Sequence, residues 1–576
     1  MPNKYLVLAA VVLLSVVLRT INLGDHGIGG DEKNATFVSQ FVPMGGANQQ
    51  DVFYKPNDPY FTPQDFWKPK TIKDFYDAGA RVDNGSSAMH AFLLHYWSQW
   101  FGLADATSRG LSVLFGVLLV VLLYFFVNRH FNNANLALGV AALAAVEPLY
   151  VGWSETVRTY TMTFFFCLLA THLFLILIAD SATQKKPSNW LYFWYGICAF
   201  ASLMCHYSVF TLFLLHSLLV VLFVRKPQTW LALALAMCVP ALGMYWWLWH
   251  AGGQYAFRFM ADSARVYNDM AAKNPQLGYL APTTVRSALV QMWPIVGNHF
   301  LPTNGLFDAL EGKKNVILSL LCALTSVAAY RWIPNERAKK VIILAAFGIS
   351  ALLYQSAQYR FVGLSVAIIL FVLFLRDAFD PANKLRRNYL IVLILATVPL
   401  CFLVVFAFQD QNTFRIQHKY VGYSMAFALV LVGLAIKKMW RYPNWVRLPM
   451  AAVLVVQLAY VGQTLQTIWG DTAVRYTLFA TPRAPNPYAK LAQAIVQKYA
   501  DGDTILYPSY QGDDFAYTVE AASFSTLDAQ LTNFYLPKNA RFIQRIDRRE
   551  PNKVVLKKAN GQQQILFDFK GRTYRY

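Results

Sequence analysis

Leu111–Val127 reads LSVLFGVLLVVLLYFFV, a run without a charged side chain that starts just after Arg109 and ends shortly before Arg129. A helix of this length approaches the roughly 30 Å of hydrocarbon in a bilayer. Since a spanning segment must satisfy its backbone hydrogen bonds internally, the run predicts a transmembrane helix. Further runs at Lys4–Leu18 and Leu390–Phe408 indicate that the bilayer is the main solvent of this chain.

The composition agrees with a membrane protein. Of the 576 residues, 56% are hydrophobic and only 14% are charged, whereas soluble domains carry about a quarter charged residues. The net charge of +20 could indicate nucleic-acid binding. However, the basic residues sit between apolar runs, where orientation during membrane insertion explains them. All six cysteines lie inside apolar runs without CxxC spacing, so neither a disulfide framework nor a zinc site is indicated.

Clusters of Lys and Arg mark the cytosolic side of a membrane protein. They occur at Arg129/His130, Lys185/Lys186, Arg225/Lys226, Arg331 to Lys340, Arg376 to Arg387 and Lys437 to Arg447. Crossings between the clusters give about 13 spans, including two in Trp190–Val224 with a turn near His206. The first run is interpreted as a retained signal anchor with a cytosolic N-terminus. Residues of about 24–108 and 251–313 are then expected outside.

The tail, 471–576, differs in composition from the transmembrane part, 1–470, and is expected to be external. Tyr488–Tyr499 has a helical pattern and Thr504–Tyr507 reads as a strand. Lys553–Lys558 and Gln564–Phe569 flank an Asn-Gly turn region and predict a hairpin. The predicted fold class is therefore an all-α polytopic membrane protein with a small external α/β C-terminal domain.

Two acidic residues, Asp31 and Glu32, follow a glycine-rich stretch just beyond the first helix. Glycine lets the backbone approach a ligand closely, and one of the carboxylates could act as a general base. The pair could equally serve to cap the next helix in a solvated loop. The local sequence leaves both interpretations open.

Arg158 lies at the predicted outer end of another membrane helix, in the segment Glu147–Tyr160. A charged residue there is costly unless it faces a polar cavity, a partner or a ligand. Its guanidinium group suits a phosphate, which it can bind through two oxygens at once. Alternatively, Arg158 could extend toward lipid head groups. Arg360 repeats this arrangement, and Arg415, His418 and Lys419 follow further on.

Three segments resemble the polytopic GT-C glycosyltransferases, which use polyprenyl-phosphate-linked sugars and include protein O-mannosyltransferases and the lipid A aminoarabinose transferase. The first is Arg19-Thr20-Ile21-Asn22-Leu23 followed by Asp31-Glu32. The second is Ala91–Trp97 with Phe101-Gly102 and Ser108–Gly116, which is similar to an interface helix and the helix start after it. The third is Ser154 with Arg158 and Tyr160.

The chain departs from the family pattern in two places. Where many members have a Lys or His followed by two prolines, it has Ser86-Ser87-Ala88, and His90 is a candidate substitute. The acidic residue expected two before the Arg of the third motif is Thr156 here, with Glu155 displaced by one. The match to a second carboxylate is therefore incomplete.

The resemblance implies transfer of a sugar from an undecaprenyl- or dolichyl-phosphate donor to a glycolipid, polysaccharide or protein acceptor at the outer face of the inner or plasma membrane. Asp31 would be the base, with Glu32 supporting it or helping to hold a divalent metal ion. Arg158 and Arg360 would hold the donor phosphate. The candidates for orienting the substrate are Tyr160, His95, Asp83 and Glu155.

Two other classes of protein fit parts of the pattern. A transporter or flippase for an anionic lipid-linked saccharide could line its pathway with the same charges, although transporters place coupling residues near the bilayer midplane. A structural subunit of a cell-envelope assembly would tolerate changes at the outer residues. Nucleic acid is not an expected partner.

Overall fold

The computed structural model describes residues 4–29, 31–44, 60–82, 85–182, 188–273, 280–300, 313–353, 358–470, 485–509, 526–547 and 549–571. These residues are mostly helical, with one small sheet near the C-terminus. The predicted combination of a helical membrane part and a small α/β tail is confirmed at this level.

The described residues up to 250 form twelve helices. They are α1 (Lys4–Thr20), α2 (Glu32–Ser39), α3 (Pro63–Phe66), α4 (Ile72–Val82), α5 (Ala88–Phe101), α6 (Asp105–Phe131), α7 (Ala134–Val146), α8 (Pro148–Ser154), α9 (Tyr160–Ala182), α10 (Asn189–Cys205), α11 (Phe210–Phe223) and α12 (Pro227–His250). His206 ends α10, and a short 3₁₀ turn, Tyr207–Val209, leads into α11. The predicted turn at this histidine is confirmed.

Eight more helices precede the tail in the described ranges: α13 (Ala256–Lys273), α14 (Val285–Phe300), α15 (Lys313–Trp332), α16 (Glu336–Leu353), α17 (Gln358–Phe379), α18 (Arg386–Asp410), α19 (Met425–Met439) and α20 (Asn444–Gly470). Three short 3₁₀ turns connect α18 to α19, at Thr413–Arg415, His418–Tyr420 and Gly422–Ser424.

Among the described residues, six helices are long and apolar enough to cross a membrane. They lie at Asp105–Phe131, Tyr160–Ala179, Pro227–His250, Arg386–Asp410, Gly422–Met439 and Asn444–Gly470. The bent pair α7 and α8, which meet at 54°, would make a seventh. Several other apolar helices are shorter, such as α1 and α10 with 17 residues each. The figure of about 13 spans stays a prediction from loop charge.

Helices α6 and α9 run side by side in the same direction. Ser112 near the start of α6 donates to the carbonyl of Arg158, just before α9, at 3.1 Å. At the other end, His130 of α6 and His172 of α9 share a hydrogen bond of 3.0 Å. The two helices therefore begin at one end of the bundle and finish at the other.

Gly116 allows α6 to pack closely against α1 and α8. A Cβ atom on Gly116 would overlap the hydroxyl of Ser154 and would lie 3.1 Å from the Nε atom of Arg19. Only a residue without a side chain leaves room for α8 and α1 against this face of α6. Arg19 in turn donates to the carbonyls of Ala144 and Ala145, at 3.1 and 2.9 Å. Cationic side chains favour such C-terminal carbonyls of a helix.

The tail contains α21 (Pro487–Lys498), α22 (Leu527–Asn533) and four strands, β1 (Thr504–Pro508), β2 (Ile543–Asp547), β3 (Lys553–Lys557) and β4 (Gln563–Asp568). The strand order is β2-β1-β3-β4, with β1 parallel to β2 and the other pairs antiparallel. The predicted helix, first strand and hairpin are confirmed. Strand β2 was not predicted.

The tail packs on the segment after α1. Phe37 of α2 and Phe66 of α3 share a buried apolar cluster with α21 and the sheet, and Phe61 pairs with Gln544 of β2. Asp105, at the start of α6, accepts hydrogen bonds from Asn486 at 3.0 and 2.9 Å and from Tyr535 at 3.0 Å. These contacts hold the segment 31–44 between the helical bundle and the tail.

Candidate active site

The two neighbouring carboxylates, Asp31 and Glu32, lie where the starts of α2, α6 and α9 meet. Glu32 is buried, with 4% of its surface exposed. Arg109 donates to both of its carboxylate oxygens, from Nε and from an Nη atom, each at 3.1 Å. A bidentate ion pair of this kind combines charge attraction with a fixed geometry.

Backbone groups complete the surroundings of the Glu32 carboxylate. It accepts from the amide of Gly29 at 2.9 Å and from the amide of Val157 at 2.8 Å. Arg109 also donates to the carbonyls of Leu23, His26 and Gly27, each at 2.8 Å. The ion pair thus ties the loop 23–29 and the segment before α9 to the start of α6.

Asp31 occupies the N-cap position of α2, yet its side chain makes no capping hydrogen bond. Its carboxylate instead faces two cations, because the Nη2 atom of Arg158 and the Nζ atom of Lys419 both lie 4.0 Å from Oδ2. Arg158 also donates to the backbone carbonyl of Asp31 at 3.1 Å. About a third of the Asp31 side chain, 36%, is exposed, so the carboxylate stays accessible.

The charges around Asp31 keep it ionised. Burial by itself would raise the pKa of the carboxyl, but the charges of Arg158, Lys419 and Lys33 outweigh it and hold the pKa below its ordinary value. For Lys419, burial would lower the pKa of the ammonium group, but Tyr420, Tyr160 and Asp31 hold that pKa above its ordinary value. Both groups are therefore charged at neutral pH.

Two histidines near these cations, buried His90 and half-buried His206, remain neutral. Burial, and then the positive charge of Arg158, lower the pKa of His90 to about 3. Burial, with the charges of Lys419, Arg158 and Arg415, also lowers the pKa of His206 to about 3. The site thus carries two cations for one accessible carboxylate, and its surplus positive charge favours an anionic ligand.

Tyr160 joins this group at the first turn of α9. The guanidinium of Arg158 lies 5.7 Å from the centre of its ring, within range of a cation–π contact. The ring also packs against Trp153, with centroids 4.1 Å apart. Tyr160 thereby helps to orient Arg158.

Glu155 and His95 were also expected to orient the substrate. Glu155 is buried, and its charge acts on Arg19 and Arg109. The imidazole of His95 stacks on Phe41 at 4.3 Å, and its Nδ1 atom lies 2.8 Å from the carbonyl of Ser39 at the far end of α2. The structure does not bring His95 together with Asp31.

Two predicted residues cannot be placed in the site. Asp83 lies outside the described residues. Arg360 belongs to the first turn of α17, but its side chain is not among those the structure describes. Their suggested roles remain predictions.

A divalent metal ion does not fit the carboxylate pair. The oxygens of Glu32 already accept from Arg109 and from two backbone amides. Asp31 faces two cations, which would repel a metal ion. Within the described ranges, no three His, Cys, Asp or Glu side chains are grouped closely enough to hold a metal.

The sequence prediction missed the roles of Lys419 and Arg109. Arg109 stands at the start of an apolar helix, the same signal that singled out Arg158. Lys419 lies in a 3₁₀ turn far along the chain. The sequence indicated it only as a positive charge near a predicted outer loop. Nothing local in the sequence indicates that it reaches Asp31.

No family model matches this chain, and no curated protein matches it. Some solved structures are similar to it. One is the oligosaccharyltransferase AglB from Archaeoglobus fulgidus, in complex with an inhibitory peptide and a dolichol-phosphate. It is 13% identical with a TM-score of 0.42, and the match covers 86% of this chain but 58% of that one. The present chain thus spans less than two thirds of that protein's length.

A second similar structure is ArnT from Cupriavidus metallidurans bound to undecaprenyl phosphate, with 13% identity and a TM-score of 0.37 over 92% of this chain and 84% of that chain. Both are GT-C glycosyltransferases, the group that the sequence resembles. Since these identities and TM-scores are low, neither structure assigns a function to this chain.

Proposed function

We propose that this chain is a membrane glycosyltransferase that moves a sugar from a polyprenyl-phosphate donor to an acceptor on the non-cytosolic face of the membrane. The observation that carries the proposal is the accessible carboxylate of Asp31, 4.0 Å from both Arg158 and Lys419, at one end of the helical bundle. A base and a phosphate-binding pair stand there within reach of one substrate.

In the proposed reaction, an acceptor hydroxyl attacks the anomeric carbon of the donor sugar. The bond from that carbon to the phosphate oxygen breaks, and the lipid phosphate leaves with the bonding electrons. Asp31 takes the hydroxyl proton, while Arg158 and Lys419 stabilise the charge on the leaving phosphate. Attack from the face opposite the phosphate inverts the anomeric carbon.

The remaining parts of the proposal follow the loop charges and the resemblance. About 13 helices would cross the membrane, with the N-terminus in the cytosol. The segments 24–108 and 251–313 and the tail, 471–576, would lie outside. Arg360 would add a cation for the donor phosphate, and the acceptor would be a glycolipid, a polysaccharide or a protein.

The positions of the charges favour an enzyme over a transporter. Asp31, Arg158 and Lys419 gather at helix ends, in a loop, just before α9 and in a 3₁₀ turn. A transporter is expected to hold such groups near the bilayer midplane in broken helices. A structural subunit would not require an ionised, accessible carboxylate beside two cations.

The test is Asp31→Asn in the purified full-length protein, assayed with a labelled polyprenyl-phosphate sugar. Loss of a general base lowers turnover by about 10²- to 10⁴-fold. Donor binding should persist, because the amide removes a negative charge beside the phosphate. Asp25→Asn is the matched control, since Asp25 is an exposed carboxylate in the same loop.

Full turnover by a folded Asp31→Asn protein would contradict the proposal. A transporter would instead move labelled lipid-linked saccharide across vesicle membranes without forming a glycosylated product. A structural subunit would leave both measurements unchanged from those of the Asp25→Asn control.

A further inference from the structure

A second group of polar side chains lies at the opposite end of α6 and α9 from Asp31. Arg109 and Arg129 are both on α6, and their separation along the helix is about 30 Å at 1.5 Å per residue. This distance matches the hydrocarbon thickness of a bilayer. The second group therefore lies at the level of the other layer of lipid head groups.

Here a cavity of about 480 Å³ is lined by Phe125, Asn128, Arg129, Asn132, His172 and Ile176. An adjoining cavity of about 230 Å³ shares Arg129 and Ile176 and adds His130, Arg387 and Asn388 among its lining residues. We call the two together the basic cavity. It lies between the ends of α6 and α9 and the start of α18.

The walls of the basic cavity hold two arginines and no carboxylate among the described lining residues. Arg387 packs its guanidinium over the ring of Phe223 at 5.8 Å, and its Nε atom has no hydrogen-bond partner in the described part of the chain. Arg129 is exposed. The positive charge of this cavity is thus not neutralised by the lining residues.

The geometry of the basic cavity is held by hydrogen bonds between the three helices. His130 and His172 share a bond of 3.0 Å, and Asn388 donates to the carbonyl of His130 at 2.6 Å. The arginines therefore stand on helices whose ends are tied together. Phe125 at the margin is 47% exposed, so an apolar surface adjoins the cations.

We propose that the basic cavity binds the phosphate head group of an anionic glycerophospholipid. Arg129 and Arg387 bind the phosphate oxygens, while the asparagine amides donate to the remaining polar atoms of the head group. The acyl chains lie along Phe125 and Ile176, toward the bilayer. This site is separate from the proposed active site, since it lies at the other end of the same helices.

The test measures lipid binding to the full-length protein in detergent by native mass spectrometry, with phosphatidylglycerol and phosphatidylcholine of identical acyl chains. The wild-type protein should bind phosphatidylglycerol more tightly. Because each cation near a phosphate contributes a factor of about five, the double variant Arg129→Gln with Arg387→Gln should bind phosphatidylglycerol about 25-fold more weakly. Its affinity for phosphatidylcholine should fall less, because the choline group of that lipid already offsets the charge of its phosphate.

The matched control is Arg331→Gln with Arg337→Gln, which removes the same charge from exposed arginines outside the cavity. It should keep the wild-type affinity. If the double variant fails to fold, Arg129→Gln alone, at an exposed side chain, should still weaken binding about fivefold.

The proposal would be overturned by equal affinity for both lipids, by an equal loss in the control variant, or by an unchanged affinity in Arg129→Gln. Inorganic phosphate distinguishes the two sources of the anion. If phosphate alone displaces the lipid at equal concentration, the cavity is a site for free phosphate and the lipid proposal is wrong.

Discussion

Lys419 and Arg158 approach the same carboxylate oxygen of Asp31. Their charges hold the pKa of Asp31 below its ordinary value. The carboxylate is therefore ionised above that lowered pKa, and it becomes protonated, and inactive as a base, only when the pH falls below it. We expect kcat/KM to persist into mildly acidic solution. Lys419→Gln removes one cation, which should raise the pKa of Asp31 and move the acidic limb of the profile to higher pH.

The pH profile of kcat/KM for the wild-type protein and Lys419→Gln provides this measurement. Lys419→Arg keeps the charge and should leave the acidic limb near its wild-type position. If Lys419→Gln lowers activity without moving that limb, Lys419 does not act on Asp31.

Glu32 differs from its neighbour, because its carboxylate is buried and already bound by Arg109. Glu32→Gln would leave the Arg109 charge uncompensated, and breaking such a buried pair costs about 3 to 5 kcal/mol of stability. We expect a clear fall in the unfolding temperature in detergent, followed by intrinsic fluorescence. Asp25→Asn, at an exposed carboxylate, should unfold like the wild type. Equal stability of Glu32→Gln would show that the ion pair with Arg109 does not tie the loop 23–29 to α6.

At the level of elements, the crossing of α6 with α1 and α8 depends on Gly116. An added methyl group would overlap Ser154 and press on Arg19. Overpacking of this kind costs about 1 to 3 kcal/mol. Gly116→Ala should therefore lower the unfolding temperature and also reduce turnover, because α6 carries the arginine that binds Glu32.

Gly139 offers the matched control for this crossing. It lies inside α7, and a Cβ atom there meets open space. Alanine favours a helix over glycine by about 1 kcal/mol, so Gly139→Ala should be neutral or slightly stabilising. If Gly139→Ala lowers the unfolding temperature as much as Gly116→Ala does, the loss of stability comes from replacing a helical glycine and not from the helix crossing at Gly116.

For the whole molecule, the proposed topology places Asp31 on one side of the membrane and the start of α16 on the other. Asp25→Cys places a thiol at an exposed position near Asp31, and Arg337→Cys places one at an exposed position on the predicted cytosolic side. An impermeant maleimide applied to intact cells should label the first and not the second. Both should react after permeabilisation.

The wild-type protein is the control for the labelling experiment, because it carries six native cysteines. Labelling of Arg337→Cys in intact cells, with Asp25→Cys protected, would reverse the proposed orientation. The active site would then face the cytosol, and the proposal of an acceptor on the outer face would be wrong.

The sequence alone determined the helical membrane architecture and much of the tail. Apolar runs predicted α6 and α18 closely, and the turn at His206 and the hairpin of β3 with β4 are where they were expected. These features depend on hydropathy, helix length and turn chemistry, which act over neighbouring residues. That Asp31 and Arg158 belong to one site was also expected, as an implication of the resemblance to GT-C glycosyltransferases.

Only the tertiary structure decided which carboxylate is accessible and which cations reach it. Asp31 and Glu32 are adjacent in sequence, but α2 turns one toward Arg158 and Lys419 and the other toward Arg109. Strand β2 and the basic cavity are likewise visible only once distant segments pack together. The physical reason is that burial and charge pairing depend on distances in space, and these arise when helices far apart in the chain meet.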